Sequence, residues 1–215
     1  MSRRLLYALS AGAFAAAGLF TAGATKAIAA SSTPSGAACQ LAGTANFTPP
    51  GLTSSSSSFT YGFQGSLSGC QSNTTPASPA SGTETAGQTI SYNGGSYQEP
   101  LAKGTGSCSN STTSGTSITQ WADGDYTVVQ YTTTGAAAAV SLQGTVVSGI
   151  SLTGTDSTGA ASTVTIPTNE PSTPVGANVI GELTFSTASP TDVTNCAGSG
   201  LTSAVINGSI QTGQS

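Results

Sequence analysis

Residues 118–129, ITQWADGDYTVV, decide the fold class of this chain. Asp-Gly is among the strongest two-residue signals for a tight β-hairpin turn, and here it separates two runs rich in β-branched and aromatic residues. If Asp123 and Gly124 are the two turn residues, Trp121 faces Tyr126 across the hairpin. The stretch therefore predicts an antiparallel hairpin with a cross-strand aromatic pair.

The same period-two alternation recurs on both sides of this hairpin, and no segment after residue 30 has helical periodicity. Asn93-Gly94 marks a second hairpin turn, and Pro and Gly residues separate the remaining runs. About nine or ten strands predict an antiparallel two-sheet sandwich, Ig-like or jelly-roll-like, or a barrel. The main predicted strands cover 39–47, 59–67, 89–92, 118–121, 126–131, 138–155 (one bent strand or two), 163–166, 178–185 and 202–210.

Four cysteines lie after residue 30: Cys39, Cys70, Cys108 and Cys196. An even number in an exported chain indicates two disulfides, and the spacing is too wide for a zinc finger. Three pairings are possible. We favour Cys39–Cys70 with Cys108–Cys196, because the first bridge would join two neighbouring strands of a hairpin.

The N-terminus has the layout of a secretory signal peptide. Arg3 and Arg4 precede an apolar run over 5–20, and a small-x-small cleavage site follows at 27–29. Residues 2–6 also resemble part of a twin-arginine export signal, and both export routes stay open. The predicted organisation is a cleaved signal peptide, 1–30, followed by a single β-rich domain with flexible ends, 31–215.

Charge excludes several classes of partner. After residue 30, Lys103 is the only basic residue against eight acidic ones, so the net charge is near −7. Binding to nucleic acid or to anionic lipid needs Lys and Arg, so we expect neither. The chain also has no His, which removes the Ser-His-Asp and Cys-His nucleophile systems and the His-containing zinc sites.

No catalytic residue, metal site or cofactor is predicted. A carboxylate-pair glycoside hydrolase is the enzymatic alternative, with Glu182 opposite Glu84, Glu99 or Glu170. Asp123 and Asp125 offer carboxylates to calcium, but two aspartates at a hairpin tip supply too few ligands alone. We therefore expect a plain turn at this position.

Trp121 and Tyr126 form the candidate binding patch, because the predicted register puts both rings on one face of the hairpin. As a carbohydrate-binding module, the protein would present Trp121 and at least one Tyr coplanar on an exposed face. Burial of Trp121 would exclude that reading.

Several segments resemble a group of small exported proteins of actinomycete-type bacteria. The similarity covers CQLAGTANF at 39–47, FTYGF at 59–63, WADG at 121–124 and YTTTG at 131–135. It implies export and a compact fold, and it transfers no activity and no functional residue.

Together these observations favour a non-catalytic secreted or envelope-associated β-domain with a structural or binding role. Its partner would be a cell-envelope polymer or protein, and no membrane contact is expected after signal cleavage. The alternatives are the carbohydrate-binding module, a fimbrial or pilus-type subunit with an incomplete sheet, and the carboxylate-pair hydrolase.

Overall fold

The structure is a computed structural model that describes residues 36–49, 51–55, 57–136, 138–187 and 196–213. All of these belong to one unit, Ser32–Ser215. The predicted signal peptide, 1–30, lies outside the described residues. Within the described ranges, no helix has the length and apolar character needed to span a membrane.

The predicted all-β fold with two disulfides is confirmed. The described residues form more strands than the nine or ten expected, because several are only four or five residues long. In chain order they are β1 (Gly36–Phe47), β2 (Ser57–Ser72), β3 (Gly82–Ala86), β4 (Thr89–Tyr92), β5 (Gly95–Gln98), β6 (Ala102–Gly106), β7 (Asn110–Trp121), β8 (Tyr126–Ala136), β9 (Ala139–Val147), β10 (Gly149–Thr155), β11 (Ala161–Pro167), β12 (Asn178–Thr187) and β13 (Ser203–Gly213).

The larger sheet closes on itself. Its antiparallel strands follow the order β1-β13-β12-β9-β8-β7-β3-β2, and β2 also pairs with β1, which gives an eight-stranded barrel. The short strand β6 lies end to end with β3 and fills the rest of the gap between β2 and β7. Inward-facing Leu, Phe, Tyr, Val and Ile side chains form the main core inside the barrel.

A smaller sheet, of order β11-β10-β5-β4, packs on the outside of the barrel against β7 and β8. A second core fills the space between the two sheets and contains Tyr97, Ile118, Val128, Leu152 and Ile166. The β7–β8 hairpin is therefore buried on both faces near its tip, where residues 117–119 and 127–129 are consecutively buried.

Irregular segments close the two ends of the barrel. At the Leu52 end, Leu52 and Leu201 form an isolated β-bridge and are almost completely buried. At the Thr173 end, the segment between β11 and β12 places Thr173 in the barrel, where its hydroxyl lies 2.5 Å from that of Thr127.

The two disulfides pair the cysteines as predicted. Cys39–Cys70 joins the adjacent strands β1 and β2, and Cys108–Cys196 joins the loop after β6 to the segment before β13. Since Cys108 N–H also donates to the carbonyl of Thr53, the second bridge holds the segments that close the Leu52 end.

The register of the β7–β8 hairpin differs from the prediction by one residue. Trp121 pairs with Asp125, and the loop contains three residues, 122–124, with Gly124 at φ +97°. This is the type I turn followed by a left-handed residue that is common in three-residue hairpin loops. Because side chains alternate along a strand, the shift places Trp121 and Tyr126 on opposite faces of the hairpin.

Strand β3 escaped prediction because of its sequence, GTETA. Its two inward residues are Glu84 and Ala86, so the strand shows no hydrophobic alternation. By contrast, the Asn93-Gly94 hairpin is confirmed. Both of its turn residues have positive φ, as a two-residue hairpin turn of this type requires.

Replacing Gly124 tests the three-residue turn. A Cβ at this position would contact nothing within 4 Å, so only the backbone conformation opposes a side chain. We expect Gly124→Ala to lower the free energy of unfolding by about 1–2 kcal/mol, and Gly124→Asn to lower it less, because Asn tolerates positive φ. Urea unfolding of both variants measures the difference. Equal stability of Gly124→Ala and the parent protein would contradict the turn assignment.

Candidate functional site

The predicted aromatic patch is not an exposed surface. Trp121 is only 5% exposed and lies inside the barrel, where its indole N–H donates to the Thr127 hydroxyl at 2.8 Å. Tyr126 is half-buried on the other face of the hairpin, where its ring packs edge-on against Tyr92. The expectation of a shared Trp121–Tyr126 binding face, and with it the carbohydrate-binding module built on Trp121, is therefore wrong.

The barrel interior contains a cavity of about 100 Å³. Its wall is mainly apolar on the side of β1, β2, β9, β12 and β13, and polar along β3, β7 and β8. The lining residues are Leu41, Ala45, Phe47, Leu52, Phe59, Tyr61, Phe63, Glu84, Ala86, Ser111, Thr113, Ser117, Tyr131, Thr133, Val140, Leu142, Leu183, Phe185, Ile206 and Ile210.

A smaller cavity of about 40 Å³ lies next to the first, towards the Thr173 end. Trp121, Thr127 and Thr173 line it, and a partition of five shared residues separates it from the larger cavity. The partition consists of Glu84, Ser117, Tyr131, Leu142 and Ile210. Its polar members are thus accessible from two internal spaces.

Hydroxyl groups form a chain along the polar wall. The Tyr61 hydroxyl lies 3.0 Å from those of both Tyr131 and Thr113, and Thr113 lies 2.7 Å from Thr133. Each hydroxyl can donate one hydrogen bond and accept others, so the chain can reorient its protons to suit a polar group placed in the cavity.

Among the described residues, Glu84 is the one acidic residue in the cavity wall. It accepts a short hydrogen bond from the Thr119 hydroxyl, and Ser117 provides a second. Burial raises the pKa of Glu84, because the charged form loses its hydration and no basic side chain is nearby to replace it. A neutral Glu84 can itself donate a hydrogen bond.

Glu99 is a second buried carboxyl group, only 2% exposed, close to the other face of β3. It accepts hydrogen bonds from the Thr85 hydroxyl and from the Gln88 N–H, both at 2.8 Å. Burial, with a smaller contribution from the charge of the neighbouring Glu84, raises the pKa of Glu99 to about 7. Because Glu84 and Thr85 are consecutive in a strand, Glu84 and Glu99 lie on opposite sides of β3.

The carboxylate pairs proposed for a hydrolase do not meet in a groove. Glu182 is exposed on the outside of β12, whereas Glu84 points into the barrel. Glu99 lies behind β3, and Glu170 lies beyond the hairpin tip. Alternation along the strands therefore separates Glu182 from each predicted partner.

Glu170 instead lies with Asp123 and Asp125. One carboxylate oxygen from each of the three residues lies within 4.8 Å of the others. The sequence suggested the two aspartates as calcium ligands and missed the grouping with Glu170, which is remote along the chain. No local pattern could have revealed it.

A shallow groove runs across the outer face of β7, β8, β9 and β12. Hydroxyl and amide side chains line it, among them Gln130 and Gln143, together with Lys103 and the exposed Ile180. The groove offers hydrogen bonds to a polymer, but the only aromatic residue along it, Tyr131, is buried. It therefore lacks the stacking surface expected of a sugar-binding site.

The raised pKa of Glu99 predicts a pH-dependent stability. Between its unfolded value of 4.5 and about 7, the folded protein holds a proton that the unfolded chain has released. The free energy of unfolding therefore falls as the pH rises through this window, by about 3 kcal/mol from Glu99 alone. Urea unfolding at pH 5 and pH 8 should show a smaller fall for Glu99→Gln than for the parent. The exposed Glu182→Gln is the control, and an unchanged fall in Glu99→Gln would contradict the assignment.

Comparisons with protein-family models, curated proteins and solved structures find no match to this chain.

Proposed function

We propose that this protein is an exported, non-catalytic binding protein that holds a small, largely apolar molecule inside its barrel. The observation that supports this most directly is the internal cavity with one polar wall. Eight-stranded barrels have interiors that are either just filled by side chains or able to hold one small ligand. Here the side chains leave a space of about 100 Å³.

The lining defines the chemistry of the ligand. The apolar wall, with Phe47, Phe59 and Phe63, favours a hydrocarbon or ring portion. The Tyr61–Tyr131 hydroxyl pair and Glu84 favour one hydroxyl or carbonyl group on that ligand. An anionic ligand is disfavoured, because the cavity wall contains no basic residue to balance it.

Export is part of the proposal. Two disulfides are typical of an oxidising compartment. The predicted signal sequence and the resemblance to small exported actinomycete-type proteins also support export.

Expression of the full chain in a bacterium and mass measurement of the exported product test the proposed export. A product that begins at Ala30 or Ser31 is expected, and a product found only inside the cell with residues 1–30 intact would contradict export.

Two earlier alternatives receive less support. A pilus-type subunit needs an incomplete sheet that accepts a strand from the next subunit, whereas β1 and β2 pair and close the larger sheet here. Contact with an envelope polymer would use the outer groove with Gln130 and Gln143, and it is the second candidate function.

Filling the cavity tests the proposed function. Ala86 is almost completely buried and lines the cavity, so Ala86→Leu should occupy part of its volume without disturbing the surface. Phenol, cyclohexanol and benzene are suitable probes, since a cavity of about 150 Å³ in another protein binds benzene. We expect calorimetry to show binding to the parent and at least about tenfold weaker binding to Ala86→Leu. Ala139→Leu, at an exposed position of β9, is the matched control.

Tyr131→Phe separates the polar from the apolar part of the site. The substitution should weaken the binding of phenol and leave the binding of benzene unchanged, because it removes only a hydroxyl group from the cavity wall. If no probe binds the parent while Ala86→Leu becomes more stable, the cavity is a packing gap and the proposal fails. A panel of polysaccharides in the same assay tests the second candidate function. Polysaccharide binding in the outer groove should be the same for the parent and for Ala86→Leu, because Ala86 lies inside the barrel.

A further inference from the structure

Three carboxylates converge at the tip of the β7–β8 hairpin without a basic partner. Asp123 and Asp125 belong to the hairpin, and Glu170 belongs to the segment that closes the Thr173 end of the barrel. Within the described ranges the only Lys or Arg is Lys103, which is exposed on β6. Among the described residues, no basic side chain therefore balances the negative charge of the three carboxylates.

Glu170 is the decisive member of this cluster. The residue is only 3% exposed, and its Oε1 accepts hydrogen bonds from the N–H and the hydroxyl of Ser172, at 2.9 and 2.6 Å. Its Oε2 is buried and has no hydrogen-bond partner. A buried carboxylate oxygen without a donor is unfavourable, and a bound cation would satisfy it.

The two aspartates are held in place by their own contacts. The Asp125 N–H donates to Asp123 Oδ1 at 3.1 Å, and the Asn169 side-chain amide donates to Asp125 Oδ1 at 2.6 Å. Asn169 Oδ1 in turn accepts from the Tyr126 N–H at 2.7 Å. Each carboxylate thus uses one oxygen in the protein and keeps a second oxygen for a ligand.

We propose that Asp123, Asp125 and Glu170 bind one Ca²⁺ ion. The ligand set consists of oxygens alone, with neither His nor Cys, which favours a hard cation. Calcium tolerates irregular geometry and completes its coordination with water, whereas magnesium demands a near-ideal octahedron. The expectation of a plain turn at Asp123 and Asp125 is replaced by this proposal because the fold adds Glu170.

The position of the site gives the ion a structural consequence. Glu170 lies three residues before Thr173, which is inserted into the barrel and hydrogen-bonded to Thr127. An ion shared with the hairpin would tie this closing segment to β7 and β8. Calcium should therefore raise the melting temperature, and the rise should grow with the logarithm of the Ca²⁺ concentration once that concentration exceeds Kd.

Trp121 provides a local spectroscopic probe. It is the only tryptophan in the chain and immediately precedes the loop that contains Asp123. Terbium binds oxygen ligands as calcium does, and its luminescence is sensitised by a nearby excited indole. We expect emission that saturates at one Tb³⁺ per chain on excitation of Trp121, and that added Ca²⁺ suppresses.

Three variants of the disulfide-bonded protein decide the proposal. Asp123→Asn, at an exposed position, should weaken Ca²⁺ binding in calorimetry by at least about tenfold and abolish the rise in melting temperature. Glu170→Gln should have the same two effects. If the loss of this buried carboxylate unfolds Glu170→Gln, Asp123→Asn decides the proposal. Glu182→Gln removes one exposed carboxylate elsewhere and should bind within about twofold of the parent. The proposal is overturned if the parent shows neither heat nor terbium emission, or if Asp123→Asn and Glu182→Gln bind equally well.

Discussion

The β7–β8 hairpin is buried on both faces, and its register assigns each side chain to one of two cores. Pairing of Trp121 with Asp125 sends Trp121, Thr127 and Tyr131 into the barrel, and it sends Ile118 and Val128 beneath the smaller sheet. A shift of one residue would keep the β7 side chains in place and turn Thr127, Val128 and Tyr131 of β8 to the opposite faces. The three-residue turn that ends in Gly124 is therefore the constraint on which both cores and the barrel interior depend.

The polar groups in the barrel lie together on one wall of the interior. They lie on β3, β7, β8 and the start of β2, opposite a wall of Leu, Phe, Val and Ile side chains. Hydroxyls satisfy one another through the chain from Tyr131 to Thr133, and Glu84 accepts from Thr119. An interior of this kind keeps a ring or hydrocarbon dry while it meets one polar atom, which is the physical basis of the proposed binding function.

Scarcity of positive charge governs the electrostatics. Lys103 is the only Lys or Arg among the described residues, and it is exposed, so the buried carboxyl groups have no basic partner for an ion pair. Glu84 and Glu99 respond through raised pKa values, since burial favours their neutral forms. At the hairpin tip, one oxygen of Glu170 remains without a donor, and the proposed Ca²⁺ ion would satisfy this oxygen and balance the charge of the cluster.

The sequence by itself determined the strand-rich fold, the Asn93-Gly94 hairpin and the absence of imidazole chemistry, because these follow from local periodicity, turn residues and composition. It left three cysteine pairings possible, and the structure has the one that we favoured. Only the tertiary structure decided the rest. Strand β3 has Glu84 where an apolar residue would mark the inward face. The amino-acid sequence around Asp123-Gly124 fits a two-residue turn as well as the three-residue turn that is found at 122–124. Likewise, the pairing of β1 with β13, which the barrel needs in order to close, and the meeting of Glu170 with Asp123 and Asp125 join residues that are distant along the chain. Local patterns do not specify which distant strands pair, since that choice is made by the packing of the whole barrel.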